Sequence, residues 1–426
     1  MATHTYRAID AVWRIESAKI IAGLTRVVRD VGLAEELAQD ALVAALERWP
    51  ESGIPENPGA WLMATAKHRA IDVLRRNQLL ERKHQELGYE LEAQEMTVPD
   101  MEAAIDDEVG DDLLRLVFIS CHPVLSREAR VALTLRLIGG LTTDEIARAF
   151  LISEPTVAQR IVRAKRKLSE AHVPFEIPRK AELSERLASV LEVIYLVFNE
   201  GYSATSGDDW VRPALCEEAM RLGRILAELA PREPEVHGMV ALMEIQASRL
   251  HARVSANGEP ILLLDQNRAL WDQLLIRRGL AALERAEKLG RRRGPYALQA
   301  AIAACHARAF TAEETDWKCI VELYGELGEL TPSPVIELNR AVAVAMAYGP
   351  AAGLELVDAL TNDSSLQSYH LLPSVRGDLL KKLGRAQEAR GEFERAASLT
   401  QNKRERALLL DRARSCSDST PVSQVN

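Results

Sequence analysis

The stretch Leu141–Leu168, LTTDEIARAFLISEPTVAQRIVRAKRKL, leaves few folding choices. It divides into a short helix, a tight turn and a longer helix. Thr142 or Thr143 can cap the first helix, and Asp144 and Glu145 then sit in its first turn, where carboxylates suit the positive end of the helix dipole. Ile146, Ala147 and Phe150 give that helix its apolar side. Ser153 can cap the second helix, and Pro155 fits its first turn, where a missing N–H costs nothing. Val157, Ile161, Ala164 and Leu168 recur at helical spacing and should face a core, while Thr156, Gln159, Arg160 and Arg163 point outward. Every charge between Pro155 and Leu168 is positive: Arg160, Arg163, Lys165, Arg166 and Lys167. A basic outer face with Gln and Arg suits a helix lying in the major groove, because Arg grips guanine bidentately and phosphates attract the rest. The plainer alternative is an amphipathic surface helix with solvated charges. Many such turns carry Gly after the first helix; here Leu151 stands there, so a remodelled turn is expected.

Composition narrows the rest. Aromatic residues make up 5% of the chain while Ala, Leu, Arg and Glu dominate, which predicts an all-α fold. No alternating β-branched run is long enough to predict a strand. The net charge of −9 excludes a globally basic nucleic-acid coat, so DNA contact must come from local patches. Cys121, Cys216, Cys305, Cys319 and Cys416 are widely separated and form no CxxC pair, which predicts a reduced, cytoplasmic protein. The start MATHTYRAID lacks a signal-peptide apolar region, and no apolar run approaches a membrane span.

Residues 6–77 read as four helices. Val12, Ile15, Lys19, Ala22, Val27 and Val28 mark the first, ending near Gly32, and Ala34–Trp49 forms the second. The breaker-rich loop PESGIPENPG follows, and Pro58 starts a helix through Trp61 and Leu74 to Arg75 and Arg76. Glu36 and Asp40 lie one turn apart; a solvated face is the default, since acid–base work would need a cleft that sequence cannot reveal. His68 and Asp72 are also one turn apart, without further ligands at metal spacing. Residues 78–112 read as a linker whose second half is acidic, from Asp100 to Asp112. Region 113–171 then carries the paired helices. Cys121 and His122 are two adjacent ligand types, but a buried thiol beside a helix break is the better reading.

AEELAQDALVAALERWP followed by NPGAWLMATAKHRAIDVLRR resembles region two of a sigma-70 family factor, and Leu141–Leu168 resembles region four. Their order and spacing are similar to those of the extracytoplasmic-function (group IV) factors, which keep only these regions. The resemblance covers roughly Tyr6–Ala171. It implies a factor that binds core RNA polymerase and directs it to promoter DNA, with no catalysis, cofactor or metal of its own. Glu36, Leu37 and Asp40 would contact the polymerase clamp helices. The loop from Glu51 to Asn57 would pocket a flipped base of the minus-ten element, with Trp61 nearby and Lys67, Arg69, Arg75 and Arg76 holding DNA; core packing is the better reading of the Trp61 ring. Thr156, Ala158, Gln159, Arg160, Arg163 and Lys167 would face the minus-thirty-five element. The acidic linker could lie in the basic RNA channel of polymerase.

A minimal factor of that kind would stop near Ala171, but this chain runs on to Asn426. Residues 180–415 read as a further helical domain. NEGYS resembles a signature of extended factors of this class, in which Asn199, Glu200 and Tyr202 would form a ligand or interdomain contact; the alternative is a helix end capped through Gly201. Pro295, Pro334 and Pro373 each open an apolar helix at an interval of thirty-nine residues, and second helices follow near Trp317–Leu327, Ala351–Leu360 and Ala386–Leu399. That period predicts stacked helical hairpins, TPR-like, with Gly384, Ala389, Phe393 and Ala396 matching the small–small–aromatic–small pattern. Such a stack suits a peptide or protein partner and would regulate the factor in cis. Residues 416–426 read as a disordered tail. Two other classes stay open: a helix-turn-helix regulator with a TPR-type sensor that is no polymerase subunit, and an enzyme within residues 180–415, for which no phosphate loop, nucleophile elbow or metal motif speaks.

Overall fold

Helices carry nearly all the regular structure in the computed structural model, which describes residues 2–85, 109–150, 152–178, 180–204, 206–207 and 210–416. Among these residues there are eighteen α-helices, as the composition predicts. Leu151, most of the acidic linker and the tail beyond Cys416 lie outside the described residues, and with them the expectations of a remodelled turn and a disordered tail. The chain divides into two compact units, Met1–Leu196 and Val197–Asn426.

The first unit opens with α1 (Ala2–Val28), α2 (Val31–Ser52) and α3 (Pro58–Gln85). Three helices stand where four were expected: between residues 6 and 77 the chain leaves the helix only at Arg29–Asp30 and over residues 53–57. Helix α1 ends one turn before Gly32: Arg29 takes a left-handed φ of 53°, and Asp30 caps α2 by accepting from the Leu33 N–H at 2.8 Å. Ile15, expected on the apolar side, is exposed; the core face of α1 is Ile9, Ile20, Ile21 and Leu24. The next helix, α4 (Val109–Ser120), begins inside the segment read as linker. Asp112 is buried there and pairs with Arg26 at 3.2 Å and Arg115 at 2.5 Å, so it is a structural charge of the helix, not part of an acidic strap. Helices α5 (Arg127–Leu137), α6 (Thr143–Phe150) and α7 (Glu154–Glu170) complete the second bundle. Cys121 is a buried thiol, as expected, with its Sγ 3.2 Å from Thr134 Oγ1; burial raises its pKa.

Helix α8 (Lys180–Tyr202) gives its residues up to Leu196 to the first unit. The Arg186 guanidinium donates to the Phe118 carbonyl at 2.8 Å, the Ser189 hydroxyl to the Cys121 carbonyl at 2.8 Å, and Arg127 pairs with Glu192 at 3.1 Å. The first unit therefore extends past Ala171.

The second unit continues with α9 (Pro213–Leu229), α10 (Pro234–Ala247), α11 (Gln273–Leu289), α12 (Pro295–Arg308), α13 (Trp317–Leu330), α14 (Pro334–Tyr348), α15 (Pro350–Leu360), α16 (Leu371–Lys382), α17 (Ala386–Leu399) and α18 (Lys403–Ser415). From α12 onward each helix packs on the next, as a stack of hairpins requires. Pro295 and Pro334 open their helices, while Pro373 sits buried inside the first turn of α16, which starts at Leu371. Small residues set the spacing: a Cβ on Gly353 would lie 2.4 Å from Ala345 Cβ, and one on Gly377 3.0 Å from the Phe393 ring. Ala389, Phe393 and Ala396 are fully buried, and Gly384 makes the turn between α16 and α17 at a φ of 78°. Two two-residue strands, β1 (Ser206–Gly207) and β2 (Gln401–Asn402), pair in parallel; no sequence pattern announced them. Cys416, expected in the tail, is buried and belongs to the core of the last helices.

Candidate nucleic-acid interface

The paired helices α6 and α7 fold as their capping residues dictate. Thr142 and Glu145 form a reciprocal box: the Thr142 N–H donates to Glu145 Oε2 at 2.8 Å, and the Glu145 N–H to Thr142 Oγ1 at 3.1 Å. Burial alone would raise the Glu145 carboxyl, but the Thr142 amide and the Arg14 guanidinium outweigh it and hold its pKa low. Arg14 of α1 reaches Glu145 at 2.5 Å. Ser153 caps α7 by accepting from the Thr156 N–H, with Pro155 in the first turn. Val157, Ile161, Ala164 and Leu168 are all buried.

The opposite face of α7 is open. Gln159, Arg163, Arg166 and Lys167 are exposed, and Thr156, Ala158 and Arg160 are half-buried. Lys165 departs from this run. It turns inward and pairs with Glu35 of α2, to which Arg136 of α5 also donates at 2.6 Å. The Glu35 side chain is only 3% exposed, so two cations compensate one buried carboxylate where α2 meets α7.

On α2, Glu36 and Asp40 are exposed on one face, whereas Leu37 is buried beneath them and supports that face from inside. Asp40 pairs with Arg69 of α3 at 2.9 Å, which joins one residue of the expected polymerase surface to one of the expected DNA surface. Glu51, expected in the loop, lies in the last turn of α2 and is exposed; the loop proper runs from Gly53 to Asn57, which is exposed too, and Asn57 Oδ1 accepts from the Ala60 N–H at 3.1 Å, fixing the start of α3. Trp61 is half-buried and meets the buried Trp49 edge-on, with ring centres 5.3 Å apart, so its ring is mainly a packing element. Further along α3, Lys67 is half-buried and Arg75 and Arg76 are exposed. His68 and Asp72 are both exposed.

The NEGYS segment lies at the end of α8. Glu200 pairs with Arg212 at 2.6 Å, both side chains 12% exposed. Asn199 is half-buried, and its carbonyl accepts from the Ser203 N–H at 2.8 Å. Gly201 is no left-handed cap: it lies within the helix, and a Cβ there would come 2.7 Å from the backbone nitrogen of Cys216. Its small size lets α9 approach α8. Tyr202 stacks on Phe198 with ring centres 5.6 Å apart.

Residues 16–79 match the family described as sigma-70 region 2, and residues 115–168 that described as sigma-70, region 4. Residues 186–287 match a family of unknown function, DUF6596. The uncharacterized protein R00370 of Rhizobium meliloti is 45% identical over 394 residues, 91% of each chain. The probable ECF RNA polymerase sigma factor SigI of Mycobacterium tuberculosis is 27% identical over 168 residues, 39% of this chain and 56% of its own. The ECF RNA polymerase sigma factor SigK of Mycobacterium sp. (strain KMS) is 26% identical over 165 residues, 36% of this chain and 77% of its own.

Proposed function

Because the chain belongs to the extracytoplasmic-function branch of the sigma-70 family, we propose a division of labour among its parts. As a sigma factor it binds core RNA polymerase and directs promoter-specific initiation; the family is a non-enzymatic initiation factor. We read this chain as having no reaction of its own and as acting in the cytoplasm beside the polymerase it loads. Among the described residues no helix is long and apolar enough to cross a membrane.

The face of α2 bearing Glu36 and Asp40 docks on polymerase, with Leu37 holding that face in shape. Glu51, Asn57 and the α3 residues Lys67, Arg69, Arg75 and Arg76 receive the minus-ten strand, with Trp61 supporting the loop from below. The outer face of α7 reads the minus-thirty-five element. The observation that carries this reading is α7 itself: capped, anchored by four buried apolar residues, and open on the side that holds Gln159 and Arg163. Arg163→Ala should weaken discrimination at the minus-thirty-five element by roughly 1–3 kcal/mol, about tenfold or more, while Lys167→Ala weakens all sequences alike and flattens the salt dependence. Equal loss from both on matched and scrambled promoters would mean that α7 grips phosphate only.

The second unit regulates the first in cis, through its helical stack and a peptide or protein partner. The test is promoter-dependent transcription from a chain cut after Leu196, because a cut at Ala171 would strip α8 from α4 and α5. Changed output from a folded fragment is expected; unchanged output and unchanged stability would refute the regulatory role.

A further inference from the structure

Beside Tyr202, the second unit holds a ladder in which rings and guanidiniums alternate. Arg253 Cζ lies 3.8 Å from the Tyr202 ring centre and 5.7 Å from that of Trp210. Arg249 Cζ lies 5.7 Å from both Tyr202 and Trp271, and Arg268 Cζ 5.0 Å from Trp271. Three permanent cations thus share one wall, and among the described residues none of them is in an ion pair. Arg268 is occupied: it donates to the carbonyls of His306 at 2.8 Å and Ala309 at 2.9 Å and to Thr315 Oγ1 at 2.9 Å, and Glu313 and Glu314 act on its charge from farther off. Arg253 donates to the Tyr202 carbonyl at 3.0 Å. The Arg249 guanidinium has no hydrogen-bond partner among the described residues, and the buried Nε atoms of Arg249 and Arg253 are both unsatisfied.

Stacking accounts for the order of the ladder but not for its charge. A cation–π contact offsets only a small part of what burying a guanidinium costs. Guanidiniums cannot shed their protons, so three of them close together repel one another, and among the described residues no carboxylate forms an ion pair with them. We propose that this wall is a binding site for a small oxyanion, a phosphate or a carboxylate group, gripped by the free fork of Arg249 with Arg253 behind it. Planar forks on rigid rings are preorganised for bidentate capture of such groups. Tyr202 is then the rung between the two gripping arginines, which gives the NEGYS tyrosine a ligand role. This site needs nothing from the promoter reading above.

The test is thermal unfolding of the full chain in inorganic phosphate, in malonate and in chloride at matched ionic strength. Phosphate or malonate should raise the midpoint in a saturable way that chloride does not, and the arm that does so names the group. Arg249→Gln should weaken the apparent affinity at least about tenfold. Arg249→Lys, which keeps the charge but loses the fork, should weaken it too and serves if the glutamine variant fails to fold. No shift beyond chloride in the parent chain, or an undiminished shift in a folded Arg249 variant, would overturn the site.

Discussion

Arg163 and Lys165 stand two positions apart on α7 and have opposite fates. Arg163 is exposed, and Lys165 is committed to Glu35. Sequence showed that both are basic, and helical spacing showed which face Arg163 takes. It could not show the partner of Lys165, because Glu35 is distant in the chain and no local period encodes a contact between helices. The same limit hid Asp112, which looked like one more linker carboxylate until Arg26 and Arg115 enclosed it. His306 offers a residue-scale prediction. Burial first, then the charges of Arg249 and Arg268, push its pKa down from the ordinary 6.5 to about 3. Between those values the unfolded chain takes up a proton that the folded chain refuses, so stability falls as pH is lowered through the window. The slope from this group is at most about 1.4 kcal/mol per pH unit. Urea midpoints of His306→Gln should decline less than those of the parent chain between pH 6.5 and about 4.5; parallel declines would show that His306 is not held neutral.

Among the elements, the starts of α6 and α7 were legible to within a residue, because local chemistry sets them: Thr142, one of the two caps open to the sequence, with Glu145, and Ser153 before Pro155; the end of α7 at Glu170, two residues past Leu168, was not. The interval between Pro295 and Pro334 located α12 and α14 for the same reason. Pro373 kept the interval but not the role, since α16 starts two residues earlier. The end of α8 misled more, because a glycine near a helix terminus looks like a cap. Gly201 is there for close packing, which no local signal distinguishes from capping. Gly201→Ala should therefore destabilise the second unit by about 1–3 kcal/mol, because the added methyl meets first the Cys216 backbone nitrogen, which cannot swing away, and then Leu215 Cβ and Cys216 Sγ. A urea midpoint within error of the parent would mean that the α8–α9 approach tolerates a Cβ.

At the scale of the whole molecule, two motifs in the right order sufficed to place the first unit in its family, while the second unit yielded its helices but not its charge. Arg249, Arg253 and Arg268 are scattered among loops and short turns, and only the fold brings them to one set of rings. The candidate residues on α2, α3 and α7 were legible as types and, apart from the buried Leu37, as lying at least partly open to solvent. Their neutralising partners, such as Asp40 for Arg69, were not. This chain, extension included, should work as a promoter-specificity subunit. Run-off transcription with purified core polymerase, with and without the full chain, tests that most directly. A discrete transcript that appears only when the chain is added, and from a defined start, is the predicted result. No transcript from any promoter tried, together with no binding of the folded chain to core polymerase, would contradict it.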